Sequence, residues 1–430
     1  MKPRRTIIIS NDALVTEDYD YLLTKPLMRE LMAKGSWVKT LNTVYPSITY
    51  CCHASMVTGC YPEKTHLYNN EVDRFGCTDW TWERHHLQAK TLADAAKEAG
   101  GTVANVFWPV LGQDPSIDYN IPEYWSQSPD EPLPVALARM GTSQQVIDEI
   151  VKPNLYYIEG HQRQHPFCDE FVFACARDML VKYQPDLLLV HPAGIDGMRH
   201  RYGLFNEYVT EQLDYTYYWI EKIVRALKEM GEWEQTDLIL TSDHGQMNMI
   251  RCAHPNVLLS RAGLMTLDAA GKVVDKKAYV KAVGASAQVF LTDPSPEAYN
   301  AVKTLFTEAA ASGLYGFERC YTAEEAQRET RLAGDFAFVL ETDGYTSFGP
   351  RVTGDYYTSY DLTDYRLGRA THGYLPHRGP QPSMLCVGPS FRAGAVVERR
   401  NTVDMAPTVA KIRGWSLPDA DGTVIDEILL

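Results

Sequence analysis

Leu238-Ile239-Leu240-Thr241-Ser242-Asp243-His244 is an apolar β-run that stops at a carboxylate and an imidazole. The pattern occurs twice more: Ile7-Ile8-Ile9-Ser10 leads to Asp12, and Leu187-Leu188-Leu189-Val190 leads to Asp196 and His200. Apolar β-runs of this length between helix-like stretches predict an open, mostly parallel sheet. Residues just past the carboxyl ends of such strands converge on one crevice, where ligands bind. Three carboxylates and two imidazoles gathered there predict a two-cation site, and Ala370-Thr371-His372-Gly373-Tyr374 offers one more imidazole.

The rest of the chain fits an α/β fold with helices flanking the central sheet. Helices are expected over 21–33, 49–58, 91–99 and 207–230, and further strands over 37–41, 102–107 and 384–388. The helix over 207–230 has the clearest period: Val209, Leu213, Tyr217, Ile220, Val224 and Leu227 repeat at helical spacing before Gly231. Two stretches fit the alternation poorly. Residues 110–175 are rich in Pro, Tyr, Trp and Gln, and 270–350 carry their own strand–helix–strand pattern. Both are expected to be insertions capping the ligand edge, which divides the core into 1–109, 176–269 and 351–430.

At 430 residues the chain can bury a large core. A formal net charge of −14 argues against a nucleic-acid polymer as partner, because phosphate backbones select basic surfaces. It leaves room for a small phosphorylated ligand, since bound cations supply positive potential locally. No apolar run approaches the roughly 18 residues of a membrane span. Nine cysteines show neither a disulfide framework nor a C-x-x-C pair, so a reducing cytoplasm is the expected location. The oligomeric state is left open.

Between the second strand and its helix runs Val44-Tyr45-Pro46-Ser47-Ile48-Thr49-Tyr50-Cys51-Cys52-His53, with Gly59 suited to cap the helix. A hydroxyl at that junction sits beside free backbone N–H groups and the positive end of the helix dipole, a site for a phosphate-like anion. Thr49 is the expected nucleophile, given a base or metal to lower its pKa. The plainer alternative is that Thr49 only caps the helix. Ser47, Cys51 and Cys52 are rival nucleophiles. Mixed carboxylate and imidazole ligation suits zinc, with manganese or iron as alternatives. His53 and His66 flank the nucleophile helix and are expected behind the ligands, whereas His85, His86, His161, His165 and His254 read mostly as surface residues.

These motifs, in this order, resemble the alkaline phosphatase superfamily, and within it the nucleotide pyrophosphatase/phosphodiesterase branch. The similarity lies in Asp12 after the first strand, Thr49 within Tyr-Pro-x-x-Thr and His-x-x-x-Val-Thr-Gly, and Asn70. It continues through Phe107-Trp108-Pro109, Asp196-x-x-x-His200, Ser242-Asp243-His244-Gly245 and Thr371-His372-Gly373-Tyr374. The resemblance implies an alkaline-phosphatase-like core holding two zinc ions. One would be bound by Asp196, His200 and His372, the other by Asp12, Asp243, His244 and the Thr49 oxygen. It further implies attack by Thr49, a phospho-threonine intermediate, and phosphoryl-oxygen binding by Asn70 and the Thr49 N–H. Tyr50 and Trp108 are the expected substrate contacts; Trp82, Tyr156 and Tyr157 are further candidate walls or ordinary aromatic packing, and Arg84, Arg199 and Arg201 are anion clamps for a monoester or solvated surface charges.

The chain departs from the branch at Cys51-Cys52, where relatives commonly carry Pro-Asn, and at Ala13, where a glycine is frequent. The expected activity is hydrolysis of small phosphodiesters or nucleotides. Phosphonate hydrolysis and phosphomonoester hydrolysis are the alternatives, and a noncatalytic zinc-binding protein is the remaining one. Sulfatase is disfavoured, because neither Cys51 nor Cys52 begins a Cys-x-Pro-x-Arg segment.

Overall fold

The computed structural model describes residues 5–430. Its centre is an eight-stranded sheet. In chain order the strands are β1 (Arg5–Ser10), β2 (Ser36–Asn42), β3 (Val103–Val106), β4 (Tyr119–Ile121), β5 (Leu187–Val190), β6 (Thr236–Thr241), β7 (Met384–Val387) and β8 (Val396–Asn401). In space they run β8-β2-β7-β6-β1-β5-β3-β4. β1 pairs in parallel with both β5 and β6, and β7 is the strand that runs against its neighbours β6 and β2.

The apolar runs follow from burial on both faces. Ile7 and Ile9, Leu188 and Val190, and Leu238 and Leu240 enter one core cluster; Ile8, Leu187, Leu189 and Ile239 enter the other. A strand covered by helices on each side needs no polar face, so its two-residue alternation divides two sets of apolar side chains. The helix Glu207–Glu229 packs on the first face, with the Asn206 side chain accepting from the Tyr208 and Val209 N–H groups at its start.

Three expectations are corrected in detail. The helix over 21–33 is two pieces, Tyr19–Leu22 and Pro26–Lys34, because Pro26 cannot donate to a continuing helix and instead starts a new one. Segment 110–175 contains β4, an edge strand of the main sheet, and position 175 falls inside the core helix Phe167–Tyr183. Arg84 and Arg199 serve the fold: Arg84 pairs with Asp94 at 2.8 Å, and buried Arg199 holds Asp18 at 2.6 Å.

Residues 278–342 form a separate four-stranded antiparallel sheet of Ala278–Ala282, Ser286–Leu291, Phe338–Thr342 and Phe317–Thr322, with helix Pro296–Ser312 packed on it. Its first hairpin turn supports the ligand edge of the main sheet. Ala285 N–H donates to the His372 carbonyl at 2.8 Å. Among the described residues no helix is long and apolar enough to cross a membrane.

Candidate metal centre and its cavity

The central strands β6, β1 and β5 end side by side, and the turns after them interlock. Asn11 N–H donates to the Thr241 carbonyl at 2.9 Å, and Asp12 N–H to the Pro192 carbonyl at 3.0 Å. Asp12 is thereby clasped between both neighbouring strand ends. Asp243 is fixed from the other side, where its Oδ1 accepts the Ala13 N–H at 3.2 Å.

Two groups of ligand-type atoms result: Asp12, Asp243 and His244, and Asp196, His200 and His372, each drawn within 4.8 Å. In the first, His244 Nε2 lies 3.1 Å from Asp243 Oδ2 and 3.5 Å from Asp12 Oδ1. In the second, His200 Nε2 lies 3.1 Å from Asp196 Oδ2, and His372 Nε2 lies 3.7 Å from Asp196 Oδ1. The groups adjoin through the rings of His244 and His372, whose centroids are 4.1 Å apart.

Tautomers follow from the backbone. His200 Nδ1 is 2.7 Å from the Ala370 carbonyl, and His244 Nδ1 is 3.2 Å from the Gly245 carbonyl. A carbonyl only accepts, so each Nδ1 carries the proton and each Nε2 presents its lone pair to the cluster. Asp12 Oδ1, Asp243 Oδ2 and His200 Nε2 are buried without a hydrogen-bond partner. Burial, then the nearby charges of Asp196, Asp243 and Glu123, push the Asp12 carboxyl well above its ordinary range. Buried acceptors turned toward one another are costly unless a cation lies among them, and oxygen and nitrogen donors of this kind suit divalent metals. The residues fit a metal pair.

Thr49 opens the helix Thr49–Thr58, every residue of which is buried. Ile48 holds the capping position and has no side-chain acceptor, so Thr49 is not the cap. Its Oγ1 lies 3.2 Å from His244 Nε2 instead. The rivals are engaged elsewhere: Ser47 donates to the Tyr374 carbonyl at 2.8 Å, and burial pushes the Cys51 and Cys52 thiols up. Asn70 Oδ1 accepts the Tyr50 N–H at 3.0 Å, which orients the amide and leaves its NH₂ to donate into the cavity that Asn70 lines.

That cavity has a volume of about 400 Å³ and reaches both ligand groups and Thr49. Its aromatic lining is Trp80, Phe107, Trp125 and Tyr365. Tyr50 and Trp108, the expected substrate contacts, are fully buried and do not line it. Tyr50 meets Trp80 edge-on at 5.2 Å, and Trp108 packs against the His53 ring at 4.8 Å. Both aromatics brace the site from behind: the helix that presents Thr49 turns Tyr50 into the core, and Trp108 packs on His53 of that helix. Trp82, Tyr156 and Tyr157 also lie off the cavity, whereas Arg201 lines it.

Several cavity residues went unread in the sequence. His191 directly follows the Leu187–Val190 run, where strand-end logic applies, and its Nε2 lies 3.4 Å from Asp12 Oδ2. Glu123 follows β4, whose Tyr119-Asn120-Ile121 is no apolar run; burial raises its carboxyl to about 8. His165 is no surface residue: it lines the cavity with Nδ1 2.5 Å from Asp169 Oδ2.

A family model described as type I phosphodiesterase/nucleotide pyrophosphatase matches residues 6–374. The chain belongs to that family. It is accordingly a hydrolase of phosphorus esters. Among curated proteins no sequence matches. Solved structures of similar fold include murine ectonucleotide pyrophosphatase/phosphodiesterase 5, at 17% identity and a TM-score of 0.65, covering 99% of this chain and 100% of that one. An inactive variant of the murine protein in complex with AMP gives 17% and 0.66, with 99% and 100% covered. The human counterpart gives 17% and 0.68, with 99% of each chain covered. At this identity the family members share the fold.

Proposed function

We propose that the chain hydrolyses small phosphodiesters of the nucleotide type, with two divalent cations, zinc in first place, and Thr49 as nucleophile. The observation that carries this reading is the position of Thr49 Oγ1, 3.2 Å from His244 Nε2, in a cavity lined by Asp12 of one ligand group and by Asp196, His200 and His372 of the other. Asp12, Asp243 and His244 would hold one cation together with the Thr49 oxygen, and Asp196, His200 and His372 the other. When bound, the pair supplies positive charge that favours the threonine alkoxide and the departing oxygen.

The chain's own groups do the rest. Thr49 Oγ1 attacks phosphorus and displaces one ester oxygen, giving a phospho-threonine that still carries the second ester group and that water then hydrolyses. The first-turn N–H of Thr49 and the Asn70 NH₂ donate to a nonbridging oxygen as charge builds on it. A diester brings a second substituent, and Trp80, Trp125 and Phe107 offer it stacking surface. AMP in the murine relative supports a nucleotide there. A second reading rests on Arg163, which lines the cavity with its guanidinium 5.0 Å from the Trp125 ring centre and 5.9 Å from that of Trp80. A cation there also suits a substrate with a second anionic group, such as a phosphonate carrying a carboxylate or a phosphomonoester.

Turnover of a nitrophenyl nucleotide diester against nitrophenyl phosphate by the zinc-loaded protein decides between them. The diester is expected to be cleaved faster, and Thr49→Ala to remove at least ~10³-fold of that rate. Full activity in Thr49→Ala would exclude threonine as the nucleophile, and cleavage of the monoester alone would exclude the diesterase reading.

A further inference from the structure

Loop residue His165, half-buried, and buried helix residue Asp169 form a dyad on the wall of the same cavity. His165 Nδ1 is 2.5 Å from Asp169 Oδ2, and Asp169 Oδ1 accepts the Gly194 N–H at 2.8 Å. The carboxylate is thus anchored before it orients the ring, and its side chain is only 2% exposed. With Nδ1 committed to Asp169, Nε2 is the nitrogen available to a ligand in the cavity. The ring's Cδ2–Nε2 edge lies over Gly197, where an added Cβ would come within 2.6 Å of Cδ2 and 3.0 Å of Nε2. Gly197 follows Asp196, so the imidazole stands on the side of the cavity formed by Asp196, His200 and His372. Thr49 belongs to the other ligand group, and in an in-line displacement the departing oxygen leaves on the side opposite the nucleophile.

Resting on the phosphodiesterase reading, we propose that His165 donates a proton to the departing ester oxygen and that Asp169 positions it. As Thr49 Oγ1, already deprotonated, forms its bond to phosphorus, the bond to the ester oxygen breaks and leaves its electron pair on that oxygen. The proton on His165 Nε2 passes to it. The product departs as a neutral alcohol, and the imidazole is left neutral with Nδ1–H still bonded to Asp169. The water that later attacks the phospho-threonine delivers a proton back to Nε2 as Thr49 is released. An acid–base group in such a position contributes ~10²–10⁴-fold. Its contribution matters for an alkoxide leaving group and little for nitrophenolate, which departs as a stable anion.

The test compares nitrophenyl and ethyl esters of one nucleoside monophosphate. In His165→Asn the side-chain amide can keep the bond to Asp169, and kcat/KM for the ethyl ester is expected to fall ~10²-fold while the nitrophenyl ester stays within roughly threefold. Asp169→Asn keeps an acceptor for the Gly194 N–H and is expected to show the same selectivity with a smaller loss. A thermal melt that matches the wild type checks that each variant is folded. Equal losses on both esters, or none on the ethyl ester, would overturn the proposal and leave the phosphodiesterase reading standing. A wild-type protein inert toward both esters would overturn that reading first, and this one with it.

Discussion

Glu341 shows how a single buried carboxyl ties two parts of this molecule together. It sits on the strand Phe338–Thr342 of the second sheet, fully buried, and accepts the Leu375 N–H at 3.0 Å and the Tyr45 hydroxyl at 2.9 Å. Tyr45 begins the segment that leads to Thr49. Burial raises the carboxyl from 4.5 to about 8, against the opposing pull of Leu375, Arg378 and Tyr45. The folded state therefore binds this proton more tightly than the unfolded chain does. Its contribution to stability is full below about pH 4.5 and is lost as pH rises toward about 8, at up to ~1.4 kcal/mol per pH unit. Glu341→Gln keeps the shape and an acceptor but cannot ionise. Denaturant unfolding from pH 5 to 8 is expected to show the variant gaining on the wild type at each step upward; parallel curves would show that Glu341 ionises freely. Nothing in Phe338-Val339-Leu340-Glu341-Thr342 announces such a group, because its partners lie 296 and 34 residues away. The same distance hid the burial of Tyr50 and Trp108: aromatic type was legible, but which face meets the cavity depends on tertiary packing.

At the scale of elements, the strand-end rule was the part most open to reading. It needs only apolar runs and the residue types that follow them, and Asp12, Asp196, His200, Asp243 and His244 do come together. His372 is different, since it follows no apolar run and is placed by a neighbouring turn. Gly373 has φ +94°, and an added Cβ would lie 2.1 Å from the Val283 carbonyl oxygen. Gly284, at φ +92°, would put a Cβ 2.5 Å from the His372 carbonyl. Each backbone approaches the other at a glycine, so the hairpin of the second sheet holds His372 against the second ligand group. Gly373→Ala adds both a steric clash and a strained φ. The variant is expected to fold, because the main core is untouched, but to bind about one cation fewer than the wild type. Metal analysis after gel filtration checks this, and retention of both ions would show that the hairpin does not set the site.

Across the whole molecule, the two ligand groups join distant parts of the chain. Asp12 follows β1, Asp243 and His244 follow β6, Asp196 and His200 lie on the helix Gly194–Tyr202 after β5, and His372 is held by the second sheet. These are the central strands, so the sheet folds toward a point where three carboxylates face one another. Without cations the Asp12 carboxylate opposes the fold, because burial and the neighbouring charges of Asp196 and Asp243 penalise its charged form. With cations the sign reverses: a ligand at ~1,000 times its dissociation constant stabilises the folded state by ~4 kcal/mol per site. Each kcal/mol moves the melting temperature of a large domain by ~2 °C, so complete chelation is expected to lower it by more than ~5 °C. Zinc should restore it at two equivalents. Asp12→Asn removes one charge from the cluster, and its apo form should melt closer to its own loaded form than the wild type does. If metal analysis shows full removal and the melting temperature stays put, the carboxylates are already balanced by protons or hydrogen bonds, and the two-cation reading of the site falls.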